Sequence, residues 1–235
     1  MKYPRNRFGT IVLVREWIGS CIAKLLGIAV PEFGVCYLSD DLIMNSEFLD
    51  PDYGYLTMDN AGYAYYSVLL PSGVPIQREW LINHNTHDLA GIVIYDFVLN
   101  NCDRHEGNIL QLINDRNRVI CIDNSHIVTD KKDRTPNYSD YLSDDKVYDI
   151  SFYLKDKELY NLFLKDINDD EFEQLGRQAM YKLSYKNIYD IKESIPRDWR
   201  VQVGESTIVG LIEIIQKRVE AIPIAIEKIK EERNG

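Results

Sequence analysis

Residues 101–126 read NCDRHEGNILQLINDRNRVICIDNSH, and polar clusters alternate in this stretch with short apolar runs. The apolar runs 109–113 and 119–122 are separated by the polar residues 114–117, a layout that predicts a β-hairpin. One polar cluster precedes the hairpin and another follows it. Since loops held by rigid elements carry many functional side chains, the stretch predicts a site built on the hairpin.

Three polar residues in this stretch have a spacing typical of phosphoryl transfer. Asp103 and Asn108 form the pattern D-x-x-x-x-N, and Asp123 follows the second apolar run. Phosphoryl transfer needs an aspartate beside the acceptor hydroxyl and hard oxygen ligands that hold Mg²⁺ against the phosphates. The spacing alone is a weak signal, because Asp and Asn are also common in turns for structural reasons.

Apolar residues recur at helical spacing in three segments that flank this stretch. The segments that predict helices are 12–27, 87–101 and 206–232. Gly27 is placed to end the first helix, and Pro223 to bend the third. Asn85 or Thr86 can cap the second, which should end near Asn100.

The remaining segments predict few strands. Residues 33–38 form a short apolar run that suits a strand, and 50–54 mark a turn. Residues 57–76 contain two prolines and two glycines, which predicts loops with room for one strand. Residues 129–147 are polar and predict an exposed loop.

Composition and charge bound the class of protein. The chain has 235 residues, with 27 Lys plus Arg against 37 Asp plus Glu and a formal net charge of -10. Hydrophobic residues make up 45% of it, which together with the length predicts one folded domain with a sizeable core. The acidity argues against direct nucleic-acid binding and against attachment to an anionic membrane.

The cysteines and the N-terminal residues predict the compartment. The four cysteines are scattered without a C-x-x-C pair, which indicates reduced thiols rather than a disulfide scaffold. The apolar run 10–14 is too short for a signal peptide or a membrane span. We therefore expect a cytoplasmic protein.

The motif DRHEGN at 103–108, followed by a hairpin and Ile122-Asp123, resembles the catalytic and metal-binding loops of HipA-like and phosphatidylinositol 3-kinase-like kinases. Upstream, Lys2 and Glu16 are similar to a HipA-like pattern in which a lysine strand leads into a glutamate-bearing helix.

Two further segments extend the resemblance over almost the whole chain. The run AKLLGIAVPEFGV at 23–35 is similar to the turn that ends the glutamate-bearing helix in HipA-like proteins. The residues IPRDW at 195–199 resemble an element that precedes the last helix of those proteins.

The resemblance implies an α+β, kinase-like fold with a reduced N-terminal lobe of few strands and a mainly helical C-terminal lobe. It implies one HipA-like kinase domain over 1–235. In that domain, 1–80 form a partial N-lobe and hinge region, and 81–235 form the helical C-lobe with the catalytic and metal loops.

Catalytic and metal-binding roles also follow from the resemblance. Asp103 would be the catalytic base or hydroxyl-orienting aspartate, and His105 would act beside it at the γ-phosphate. Asn108 and Asp123 would bind Mg²⁺. Purely structural roles for Arg104 and His105 stay open, because an Arg or His beside an aspartate also stabilises a loop.

The resemblance also implies a nucleotide site that binds ATP. The phosphates would pair with Lys2, which in turn pairs with Glu16. The sequence contains no G-x-G-x-x-G loop and no P-loop, and Lys2 follows Met1 directly. The implied function is an ATP- and Mg²⁺-dependent phosphotransferase with a protein serine or threonine as acceptor, and a lipid acceptor ranks last.

Two other classes of function stay open. One is a pseudokinase or binding module that docks an antitoxin-like protein, or one half of a split kinase that needs a partner for the missing N-lobe strands. The other is a structural protein whose kinase-like spacing is accidental, which leaves several separate matches unexplained.

The histidines and tyrosines allow further hypotheses. His84 and His87 form H-x-x-H without a nearby cysteine, which makes a zinc site improbable. The tyrosines of the loop-rich region are Tyr53, Tyr55, Tyr63, Tyr65 and Tyr66. They can stack an adenine or face a partner, but core and half-buried strand positions are favoured.

Overall fold

A computed structural model describes residues 1–45, 49–50, 54–113, 115–129 and 138–234 of the chain. The helices are α1 (Ile11–Leu26), α2 (Asp40–Met44), α3 (Arg78–Asn83), α4 (Ala90–Leu99), α5 (Asp144–Val147), α6 (Ser151–Lys155), α7 (Lys157–Leu164), α8 (Asp169–Lys182), α9 (Tyr185–Ser194), α10 (Arg197–Val203), α11 (Glu205–Glu220) and α12 (Ile222–Asn234). The strands are β1 (Phe33–Leu38), β2 (Leu49–Asp50), β3 (Gly54–Tyr55), β4 (Gly62–Ser67), β5 (Gly73–Pro75), β6 (Ile109–Leu112) and β7 (Asp115–Cys121). The predicted α+β class with few strands is confirmed.

The N-terminal sheet is small and holds the start of the chain. Strands β1 and β4 pair antiparallel, with Cys36 opposite Ala64. On the other edge of β4, Lys2 and Tyr65 exchange two backbone N–H to C=O hydrogen bonds of 2.8 Å each. This pairing fixes the backbone of Lys2 at the edge of the sheet.

The predicted hairpin is confirmed and gains a third strand. Strands β6 and β7 pair antiparallel, with Ile109 opposite Cys121. Strand β5 adds to the other edge of β6, with Val74 opposite Gln111. The prediction of one strand within 57–76 is therefore wrong, because both β4 and β5 lie there. Each pairs with a strand distant in sequence, and local patterns do not reveal such pairing.

Helix α4 lies at the centre of the helical part. Nearly all of its side chains are buried, and α1, α7, α8, α11 and α12 surround it. A short 3-10 turn at 87–89 precedes it. The N–H of His87 donates to the Asn85 side chain over 2.9 Å, whereas the Thr86 hydroxyl donates to the carbonyl of Leu162. Thr86 therefore occupies the N-cap position of that turn without a side-chain cap, and the Asn85 side chain accepts the first N–H of the turn instead. Asn100 in left-handed conformation ends α4 as predicted.

The long C-terminal helix is interrupted where the sequence contains a proline. Helix α11 ends at Glu220 and α12 begins at Ile222, so that Pro223 occupies the second position of the new helix. A proline is tolerated there because the first N–H groups of a helix have no partner within it. The predicted bend is thus a break between two helices.

The prediction of an exposed loop over 129–147 is wrong in its second half. Residues 130–137 lie outside the described part of the chain, as do 51–53 of the predicted turn at 50–54. A 3-10 turn spans Tyr138–Leu142, and α5 follows it. Tyr138 is buried against α11, where a side chain on Gly210 would approach it to 2.9 Å. The glycine on a distant helix therefore creates the space for this turn.

Contacts with α9 and α10 hold α1 in place. The Trp17 indole donates to Ser194 over 2.9 Å, and the Trp199 indole donates to the carbonyl of Tyr63 over 2.7 Å. The two tryptophan rings meet edge to face. Helix α1 is thereby fixed against both the N-terminal sheet and α9–α10. No helix in the described ranges is long and apolar enough to cross a membrane.

Candidate active site

Lys2, Glu16 and Asp123 meet in one cluster although they are far apart in sequence. The Lys2 ammonium forms ion pairs with Glu16 and with Asp123, the latter at 2.8 Å, and donates to the Ser125 hydroxyl over 3.0 Å. The N–H of Asn124 donates to the Glu16 carboxylate over 3.0 Å. Sheet edge, α1 and the end of β7 are thus joined by charge.

The two carboxyl groups of this cluster have pKa values shifted in opposite directions. Burial raises the pKa of the Glu16 carboxyl, against the opposing effect of Lys2. Burial alone would also raise the pKa of the Asp123 carboxyl, but Lys2 and the Ser125 hydroxyl outweigh it and hold that pKa well below its usual range. Asp123 is therefore a carboxylate at neutral pH, as a metal ligand must be.

Asn124, the residue after Asp123, holds the loop that follows β7 against α1. Asp123 has a positive φ of 57°, which turns the chain sharply after the strand. The Tyr95 hydroxyl donates to the Asn124 side-chain oxygen over 2.7 Å. A Cβ on Gly19 would lie 2.6 Å from the Cβ of Asn124, so only glycine permits this close approach.

Asp103 and Asn108 lie in the loop between α4 and β6. The Asp103 N–H donates to the Asn101 side chain over 3.1 Å, and the Asn108 amide nitrogen donates to the Asp103 carbonyl over 2.9 Å. The second bond orients Asn108 so that its side-chain oxygen is the atom left for a metal. A hydrogen bond from the Ile122 N–H to the Asn108 carbonyl, 3.0 Å long, places the loop beside the end of β7.

The structure separates the two histidines of this region. The Nδ1 atom of His105 accepts the N–H of Gly107 over 3.0 Å, and the ring is exposed. His126 instead faces Asp103, with 3.9 Å between its Nε2 atom and the carboxylate. Burial lowers the pKa of His126, against the opposing charges of Asp103 and Asp123. The sequence predicted His105 beside Asp103, whereas the geometry brings His126 there.

A buried ion pair under the loop was not predicted. The Arg104 guanidinium donates to both carboxylate oxygens of Asp96, at 3.0 Å to each, and both side chains are almost fully buried. Asn101 and the Tyr160 hydroxyl complete the ring of donors around Asp96, at 3.0 and 2.9 Å. The signal in the sequence was a lone carboxylate within the apolar run of α4.

The remaining nitrogen of Arg104 joins the two loops of the site. It donates to the carbonyl of Asn108 over 3.1 Å and to the carbonyl of Ile122 over 3.0 Å. One rigid side chain therefore holds both the segment before Asp123 and the loop that contains Asn108. Arg104 therefore acts by positioning these two loops, since its charge is already paired with Asp96.

A cavity of about 460 Å³ opens between the N-terminal sheet and the hairpin. This volume lies in the usual range of about 300–1,000 Å³ for small-molecule sites. Its apolar lining comes from the sheet, the hairpin and the segment between them: Val30, Pro31, Val68, Leu69, Leu70, Leu110 and Ile122. Lys2, Glu16 and Asp123 form its charged end. An apolar pocket that ends in a lysine beside two carboxyl groups suits a flat base whose phosphates pair with the ammonium and with a metal ion held by carboxylate oxygen.

The donor set suits Mg²⁺ better than a transition metal. No group of three or more His, Cys, Asp or Glu side chains in the described ranges is arranged to hold a metal ion. Mg²⁺ is commonly held by one or two protein oxygens together with substrate phosphates and water. Asp123 and Asn108 provide such oxygens on neighbouring loops, and Lys2 beside Asp123 provides a place for phosphate.

Comparisons with known proteins indicate a family and a fold. The family model described as phosphatidylinositol 3- and 4-kinase matches residues 53–185, more than half of the chain. The crystal structure of CtkA, a proinflammatory kinase of Helicobacter pylori, superposes with a TM-score of 0.55 at 14% sequence identity. The match covers 99% of this chain and 90% of that one, and it shows a shared fold. No curated protein sequence matches the chain at a significant level.

Proposed function

Because this chain belongs to the phosphatidylinositol 3- and 4-kinase family, we propose that it is a phosphotransferase that moves the γ-phosphoryl group of ATP to a serine or threonine hydroxyl of a protein. The observation that carries the proposal is the meeting of Lys2, Glu16 and Asp123 at the charged end of the cavity. Residues 1–80 then form the reduced N-terminal lobe and hinge, and 81–235 form the C-terminal lobe of one kinase domain.

The cavity supports the position that we propose for the nucleotide. The adenine lies between the apolar side chains of the sheet and the hairpin, and the phosphates point toward Lys2. Glu16 keeps the ammonium of Lys2 in place and neutralises part of its charge until the phosphates arrive. Lys2 now also contacts Asp123, so that phosphate binding exchanges one anionic partner for another.

Asp103 takes the role of orienting the acceptor hydroxyl for in-line attack. The transition state of phosphoryl transfer needs mainly positioning and charge stabilisation. Magnesium, when bound, neutralises charge on the β and γ phosphates, and Asn108 and Asp123 are the residues that would hold it. His126 faces Asp103 and is the neighbouring group that can share the proton of the hydroxyl.

The acceptor is the finer part of the proposal. A protein hydroxyl suits the acidity of the chain, whose formal net charge is -10, since an anionic lipid surface would repel it. The family description favours phosphatidylinositol as the second candidate. A HipA-like subtype stays a prediction from the motif DRHEGN.

Transfer of labelled phosphate from ATP tests the proposal directly. Wild-type chain and Asp103→Ala are incubated with γ-labelled ATP, with or without Mg²⁺, and with either a mixed protein substrate or phosphatidylinositol vesicles. We expect Mg²⁺-dependent label in protein, and a loss of at least about 10³-fold in the variant. Asp170→Ala, an exposed aspartate on α8, is the matched control and should keep full activity.

Other outcomes of this assay choose between the remaining classes. Label that enters only the vesicles would replace the protein acceptor by a lipid. Wild-type chain that binds Mg-ATP without any transfer would favour a pseudokinase that docks a partner. Transfer that survives in Asp103→Ala would remove that residue from the mechanism.

A further inference from the structure

Arg15 is a buried cation whose hydrogen bonding is incomplete. It lies on α1 beside Glu16, and only 3% of its surface is exposed. One terminal nitrogen lies 3.5 Å from the Ser125 carbonyl, and the other donates to the Tyr138 hydroxyl over 3.1 Å. Its Nε atom is buried and has no hydrogen-bond partner among the residues that the structure describes. No carboxylate pairs with this guanidinium anywhere in the described ranges.

Arg218 shows what a completed site for a buried guanidinium looks like in the same chain. Its Nε atom donates to the Phe97 carbonyl over 2.7 Å, and its terminal nitrogens donate to the carbonyls of Lys146, Val147 and Asp149. Four carbonyls thus surround a cation that has no carboxylate partner in the described part of the chain. Arg15 has one weak carbonyl contact and one phenol, which leaves its charge and one N–H uncompensated. Burying an unpaired charge costs stability unless something offsets it.

The location of Arg15 indicates which anion would offset it. The guanidinium borders Ser125, two residues after Asp123, and Glu16 binds the intervening Asn124 backbone. Guanidinium groups bind phosphate through two parallel N–H donors, and the orphaned Nε lies beside the terminal nitrogens that would complete such a fork. The Tyr138 side chain covers this position, because its hydroxyl accepts a hydrogen bond from one of these terminal nitrogens.

We propose that Arg15 is a receptor for a phosphate dianion, which displaces the Tyr138 hydroxyl and fixes the residues after Asp123. The phosphate has two sources: a phosphorylated hydroxyl of this chain, or a phosphate group of a bound substrate. Only the first source rests on the proposed function. There, a hydroxyl oxygen bonds to the γ-phosphorus of ATP, the bond to the bridging oxygen breaks, ADP leaves, and the hydroxyl proton passes to the base.

Thermal unfolding with inorganic phosphate tests the receptor without needing kinase activity. Phosphatase-treated wild-type chain, Arg15→Met and Arg15→Lys are titrated with sodium phosphate at constant ionic strength. Arg7→Met, the same substitution at an exposed arginine, is the control. We expect a saturable rise in Tm of at least about 2 °C in wild type and Arg7→Met, a smaller rise in Arg15→Lys and none in Arg15→Met.

Two features of this experiment separate a receptor from an arginine with a structural role. Without phosphate, Arg15→Met should be at least as stable as wild type, because an uncompensated buried charge is removed. The series is repeated on a Lys2→Met background, where phosphate bound at the nucleotide site no longer contributes. An equal phosphate response in wild type and Arg15→Met, or no response in any protein, would overturn the proposal.

A second arm identifies the source of the phosphate. Wild type and Asp103→Ala are incubated with Mg-ATP, and covalent phosphate is located by mass spectrometry before the titration is repeated. A covalent source predicts that incubated wild type carries phosphate and no longer responds, while Asp103→Ala still does. A substrate source predicts no covalent phosphate and an unchanged response in both. Either result keeps the receptor, whereas covalent phosphate that leaves the Arg15-dependent response unchanged excludes the first source.

Discussion

The two ionic clusters at the candidate site differ in burial. Arg104 and Asp96 are almost fully buried beneath the loop that contains Asp103. Lys2 and Asp123 keep 16% and 39% of their side chains exposed at the mouth of the cavity. The buried pair is enclosed by protein groups, so its hydrogen bonds persist as long as the chain is folded. The open cluster has a cation that contacts two carboxylates, so it can exchange one of them for a ligand.

The difference shows how one site divides scaffolding from chemistry. A buried, fully hydrogen-bonded pair is costly to break because the remaining charge has nowhere to go. A half-open cluster is screened by water and loses less when a single partner is removed. We therefore expect substitutions in the first to change the free energy of unfolding, and substitutions in the second to change activity.

The largest effect on stability should come from Asp96→Asn. The variant keeps the side-chain volume but leaves Arg104 without its counter-ion, which should lower the free energy of unfolding by about 3–5 kcal/mol. Urea denaturation followed by circular dichroism measures this. Asp170→Asn, on the exposed face of α8, is the matched control and should change stability by less than about 0.5 kcal/mol. A loss below about 1 kcal/mol for Asp96→Asn would contradict the scaffolding role.

Glu16→Gln should show the opposite balance. Lys2 keeps its ion pair with Asp123, and the amide oxygen can still accept the Asn124 N–H, so the free energy of unfolding should change by less than about 1 kcal/mol. Positioning of Lys2 for the phosphates should suffer, and kcat/KM for ATP should fall by about 10- to 100-fold. Full activity in this variant, or a stability loss as large as that of Asp96→Asn, would erase the contrast.

The smallest effect concerns pH. Asp123 has a folded-state pKa below its ordinary value of 3.8, so its charge contributes stability that is complete above that value and is lost as the pH falls through the folded-state pKa. Asp123→Asn should therefore lose less Tm than wild type between about pH 5 and pH 2. Glu16, whose pKa is raised, acts in the opposite sense and is present in both proteins. Parallel Tm profiles would show that the Lys2 ion pair adds nothing to the stability.

Parts of this fold were readable from local sequence. The periodicity of 12–27 and its glycine stop gave α1, and the alternation of apolar and polar runs gave the hairpin β6–β7. The strands β4 and β5 were not separable from loops, because each depends on a partner far along the chain. The sequence predicts a loop at Tyr138, because the burial of this residue depends on Gly210 in α11 and local sequence does not reveal that contact.

The candidate site divides in the same way. Asp103, Asn108 and Asp123 were identified by spacing, and their common location follows from the hairpin that joins them. The contact of His126 with Asp103 could not be predicted from the sequence, because the direction of a histidine side chain depends on how the backbone is folded. The buried pair of Asp96 and Arg104 was visible only as a polar residue in an apolar helix.

The sequence by itself determined the chemical inventory of this protein: the carboxylates, the amide and the lysine, together with the helical and hairpin periods that carry them. Such information is local, because periodicity and spacing act over a few residues. Only the tertiary structure decided which charges are satisfied. Arg104 and Arg218 are enclosed by acceptors while Arg15 is not, and that difference depends on side chains brought together from opposite ends of the chain.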